Sequence, residues 1–181
     1  MCLVCGCGEP GRDRRAIKLR GDKPEPDEAV LLSVEDALAV AEKWVGWNGG
    51  AQFSLGNAWT PHKALRRITD HLVDHLNQIV CRTSGIAPVP DLWRGRSTTL
   101  ASDWAPFAEN ELDEATARLR RLGQVIGAEL LAHREDWDTD PGGGEWTLRA
   151  IATHLAEASA TYASRAPITP VAPPPESSAN P

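Results

Sequence analysis

Apolar residues recur at intervals of three and four in four stretches of this chain, and each stretch is bounded by residues that start or stop helices. In the first, Ala37, Leu38, Val40, Ala41, Trp44 and Val45 form a stripe behind Ser33, a good N-cap with Glu35 and Asp36 in its first turn, and the stripe ends before Asn48, Gly49 and Gly50. In the second, Trp59, Thr60 and Pro61 supply a staple residue, a capping hydroxyl and a proline at the first helical position. Leu65, Ile68, Leu72, Leu76 and Ile79 then carry the period to about Arg82.

Residues 83–106 hold Pro88, Pro90, Gly95 and Pro106 with little periodicity, and read as a long connection over one end of the domain, of the kind that shapes pockets. Leu112, Ala115, Leu119, Leu122, Ile126, Leu130 and His133 mark a third helix, stopped by a polar turn and Gly142, Gly143 and Gly144. Trp146 and Thr147 then open a fourth, with Leu148, Ile151, Leu155, Ala158 and Tyr162 as its stripe, closing before Pro167. No run alternates convincingly as a strand. Four amphipathic segments of this length pack most economically as a bundle, so the expected fold class is all-α, a four-helix bundle over residues 31–167. Residues 9–30 read as a linker, and the Pro- and Ser-rich residues 168–181 as a disordered tail that cannot bury enough apolar area to offset its ordering entropy.

Composition narrows the function classes. The 181 residues are 41% hydrophobic and 24% charged, with a formal charge of −6, as in an ordinary soluble protein. That acidic balance repels phosphate, and the short basic run Arg12, Arg14, Arg15, Lys18 and Arg20 falls among glycines and prolines instead of on a helical face, so a nucleic-acid partner is not expected. No stretch approaches the roughly 18–20 apolar residues that span a bilayer, and no apolar segment follows positive charge at the N-terminus, so the expectation is a cytoplasmic protein without a membrane partner.

The candidate chemistry lies in the histidines. His71 and His75 are four residues apart, on one face and one turn from each other, and both flank the apolar stripe of the second helix. His154 holds an equivalent place on the fourth helix, three residues after Ile151 and one before Leu155. Three neutral imidazoles are a donor set for a catalytic zinc, leaving one position for water or a thiol; nickel and iron also accept imidazole. Asp70, Asp74 and Glu157 are near enough in sequence to orient a ligand imidazole from behind. His62, in a first helical turn, reads as solvent-exposed, and His133 as a C-terminal residue favoured there by the helix dipole.

The stretch from Trp59 to Ile79, with its paired histidines, resembles the last helix of the DinB/YfiT-like bundles, and Glu145 to Glu157, with its lone histidine, looks like that family's second helix. The resemblance implies a metal held by His71, His75 and His154. It also implies activities that range over metal-dependent hydrolysis and thiol-dependent transfer or isomerisation with mycothiol or bacillithiol. The expected partner is a small-molecule substrate, with a homodimer as an admissible assembly. The family places the single-histidine helix before the pair, whereas here the pair comes first, as after a circular permutation. A bundle whose ends lie close together tolerates that change.

Cys2, Cys5 and Cys7 offer three thiolates within a glycine-flanked heptad, a spacing too tight for a fold-stapling disulfide framework and suited to binding nickel or zinc. The heptad is similar to the extreme N-terminus of the HypB proteins, nickel-inserting GTPases of hydrogenase maturation, but the chain holds no phosphate-cradling Gly-x-x-x-x-Gly-Lys-Ser/Thr loop. The alternative to a metalloenzyme is therefore a metal-handling or metal-sensing protein that captures its ion at these cysteines. A third reading is a purely structural bundle. Cys81, near a helix end, reads as an inert thiol.

Overall fold

Threonines at both expected positions cap helices: the Thr60 hydroxyl accepts the Lys63 amide at 3.1 Å and the Thr147 hydroxyl accepts the Ala150 amide at 3.1 Å. In this computed structural model, which describes residues 23–50, 52–54, 57–90 and 94–168, they open two of four helices. The four are α1 (Pro26–Ala41), α2 (Pro61–Thr83), α3 (Glu109–Ala132) and α4 (Leu148–Arg165). The chain is an all-α four-helix bundle.

Helix α1 starts seven residues before Ser33, inside the stretch expected to be linker, so the bundle begins at Pro26 and not at residue 31. The reason is local. Pro26 stands at the first helical position, where its missing N–H costs nothing, and the Glu25 amide donates to the Glu28 carboxylate at 3.4 Å. Ser33 is buried mid-helix, its hydroxyl donating to the Val30 carbonyl at 2.8 Å instead of capping. The α-helix also ends earlier than expected, at Ala41, and a 3₁₀ turn (Glu42–Trp44) seats Trp44 in the core.

A small antiparallel ribbon, β1 (Gln52–Ser54) with β2 (Asn57–Trp59), precedes α2; the expectation of no strand fails here because three-residue strands are too short to show an alternating pattern. The long connection from α2 to α3 carries two 3₁₀ turns, Arg94–Ser97 and Ala101–Trp104, and α2 clamps it. The Lys63 ammonium, wholly buried, donates to the Ala58 and Ser97 carbonyls at 2.9 and 2.8 Å and to the Thr99 hydroxyl at 2.9 Å. Arg66 grips Asp103 through two bonds, at 3.0 and 2.5 Å.

Helix α1 packs along α3 and α4, and α2 packs along the same two, so the ring order is α1–α3–α2–α4, with the consecutive α1 and α2 on opposite corners. Val30, Val34 and Leu38 of α1, Ile68, Leu72 and Ile79 of α2, Leu119, Ile126 and Leu130 of α3, and Ile151 and Leu155 of α4 fill the centre. Each such side chain contributes about 1.5–3 kcal/mol of transfer free energy. Gly123 and Gly127 let α1 and α3 approach closely: a Cβ on Gly123 would stand 3.1 Å from a Val34 methyl. Among the described residues no helix is long and apolar enough to cross a membrane.

Candidate metal centre

The adjacency of α2 and α4 decides the site, because it brings histidines from distant stretches of chain to one place. His71, His75 and His154 each offer a ring nitrogen within 4.8 Å of the others. The closest pair is His71 Nε2 and His154 Nε2, 2.9 Å apart across the helix interface. One of those nitrogens carries a proton and the other a lone pair, so both rings aim at the same point. A tetrahedral zinc with bonds of about 2.0–2.1 Å holds its nitrogens roughly 3.3 Å apart. That pair is already near this spacing, and no two nitrogens of the set are farther apart than 4.8 Å.

Each ring is braced. His75 is buried, and its Nδ1 donates to the Gln78 side-chain oxygen at 2.8 Å, which leaves the Nε2 lone pair for a ligand role. His71 packs edge-on against His75, His154 and Tyr162, with ring centres 4.6, 4.8 and 5.7 Å apart. Trp146 lies over the other two, 4.7 Å from His154 and 6.4 Å from His75.

Burial and neighbouring charges oppose protonation of His71 and His154. Burial first, then His75 and His154 and the guanidiniums of Arg67 and Arg96, push the His71 imidazole down to about 3. Burial and His75 also lower His154, against the opposing pull of the Glu157 carboxylate. Neutral imidazoles with lone pairs available are what a divalent cation requires, so the donor set fits zinc or nickel.

Of the acidic residues expected behind the ligands, Asp70 ion-pairs with Arg67 at 2.6 Å and Glu157 lies exposed near His154, while Asp74 is half-buried on α2. The brace that a hydrogen bond identifies is Gln78, which sequence reasoning passed over; its spacing of three from His75 was the available signal. Trp146 was read only as a helix-opening residue. His62 proves half-buried, not solvent-exposed, because it packs edge-on against Phe107 at 5.3 Å with its Nε2 3.2 Å from the Pro106 carbonyl. His133 stands at the C-cap of α3, with its Nε2 3.4 Å from Glu129, outside the cluster. Cys81 is a half-buried free thiol donating to Asn77 at 3.5 Å. Cys2, Cys5 and Cys7 lie outside the described residues, as do the basic run and residues 169–181.

Comparison of the chain with models of protein families, with curated proteins and with solved structures finds no match.

Proposed function

We propose that this protein is a metal-dependent enzyme of the DinB/YfiT-like class, in which His71, His75 and His154 hold one zinc or nickel ion that activates a low-molecular-weight thiol or water against a small electrophile. The observation that carries this reading is the convergence of three imidazole nitrogens, from two helices, to within 4.8 Å. Three imidazoles gathered at one helix interface, two of them with protonation opposed by burial, occupy space that leucines would fill at less cost in a purely structural core. The helical signatures around Trp59–Ile79 and Glu145–Glu157 support the class.

The residues divide the work. His71, His75 and His154 supply neutral nitrogen donors, and Gln78 fixes the tautomer and plane of His75. Trp146 and Tyr162 wall the cluster with aromatic faces, which lowers the local dielectric and sharpens every charge interaction inside. A bound divalent ion would supply Lewis acidity, moving a bound water toward a pKa of about 7 or holding a thiol as its nucleophilic thiolate.

Elemental analysis of the gently purified protein tests the metal. Close to one zinc or nickel per chain is expected, falling to background in His154→Ala with helicity by circular dichroism unchanged. An unchanged metal content in that variant removes the site. Deleting residues 1–8 separates the two metal readings: the enzyme reading expects the bundle to keep its ion, whereas capture by Cys2, Cys5 and Cys7 expects it to be lost.

A further inference from the structure

Of the six described tryptophans, Trp44, Trp47, Trp59 and Trp137 are 1–4% exposed, whereas Trp104 and Trp146 are 42% and 46% exposed; what sets Trp146 apart is that it packs against two of the three clustered imidazoles. Two clefts meet at it. One, of about 410 Å³, is lined on α4 by Ala150, Thr153, His154 and Glu157. The other, of about 400 Å³, is lined by His75, Gln78, Gly143, Gly144 and Glu145. Trp146 lines both, and one candidate ligand ring lines each.

The indole is held there by its backbone. Gly142, Gly143 and Gly144 have φ of 80°, 65° and 79°, and no heavy atom lies within 4 Å of where a Cβ would sit, so glycine is needed for the left-handed turn and not to relieve crowding. Both flanks of the loop are fixed. The Trp137 indole N–H donates to the Leu130 carbonyl at 2.7 Å and Arg149 grips Asp138 at 2.7 Å on one side, while the Thr147 cap starts α4 on the other. The loop thus delivers one large flat side chain over the cluster.

We infer that Trp146 is the specificity-determining wall of the three-histidine site, separating its two approaches and admitting slender, unbranched thiols in preference to bulky aromatic ones. This rests on the metal reading proposed above. With the ring centres of Trp146 and His154 only 4.7 Å apart, nothing fits between them, so a ligand reaches the ion from alongside. A flexible chain can follow either cleft to the cluster. A ring next to the sulfur meets the indole edge. Shortening Trp146 joins the two clefts and removes that barrier.

The full chain loaded with cobalt(II) reports both parts, through visible d–d bands for the metal and a near-ultraviolet sulfur-to-cobalt charge-transfer band for a bound thiol. Titration with 2-mercaptoethanol and with benzyl mercaptan is expected to show a preference for the former. In Trp146→Ala the affinity for benzyl mercaptan rises about tenfold while that for 2-mercaptoethanol changes less than about twofold, and Trp146→Phe keeps most of the original preference. Trp146→Leu serves if the alanine variant does not fold. An unchanged ratio, or weaker benzyl mercaptan binding, in a variant with intact d–d bands overturns the inference. Absence of d–d bands in the unsubstituted protein overturns the metal reading itself, and this inference with it.

Discussion

Gln78 shows how one hydrogen bond tunes a candidate ligand: by accepting from Nδ1 of His75 it settles which nitrogen faces the cluster and restrains the ring. Gln78→Ala is expected to weaken zinc binding roughly 10–100-fold with the fold intact, measured by competition with a chromogenic chelator. His71 predicts a pH effect in the metal-free protein. Its folded-state proton is held only below about 3, against 6.5 as the ordinary value, so between these limits the unfolded chain takes up a proton that the folded chain refuses. Stability therefore falls as pH is lowered from 6.5 toward 3, and thermal unfolding of metal-free His71→Gln is expected to depend less on pH across that range. The pairing of His71 with His75 was legible because helical spacing fixes which side chains share a face. Gln78 and Trp146 were not, since their roles depend on ring orientation and on a loop path that spacing does not encode.

At the scale of elements, α4 carries His154 and its start is set by Thr147. Removing that hydroxyl orphans an amide in the first turn, so Thr147→Ala is expected to cost about 1 kcal/mol in urea unfolding, with a smaller effect on metal affinity. The caps of α2 and α4 could be read directly because threonine followed by proline or by an apolar period has one good structural use. The start of α1 could not: Glu25, Pro26, Asp27 and Glu28 resemble a charged, proline-broken linker, and only the burial of Val30 and Val34 against α3 and α4 makes extending the helix worthwhile. The β1–β2 ribbon escaped for a similar reason, as its side of the chain is organised by Lys63 reaching back to Ala58 from α2.

At the scale of the molecule, amphipathic periods establish that four helices pack but not in which cyclic order. The order α1–α3–α2–α4 comes from which apolar faces match, and from a long α2–α3 connection that Lys63 and Arg66 anchor across more than thirty residues. That order makes α2 and α4 neighbours, and hence makes the histidine cluster. His71 and His154 are 83 positions apart along the chain. An ion shared between them would act as a reversible cross-link, closing most of the bundle into a single loop and raising the unfolding free energy by an amount that grows with the logarithm of free metal concentration, about 2.7 kcal/mol at a hundredfold excess over Kd. Scarcity of that ion would then loosen the whole domain, so the abundance of the folded protein would itself track supply of the metal.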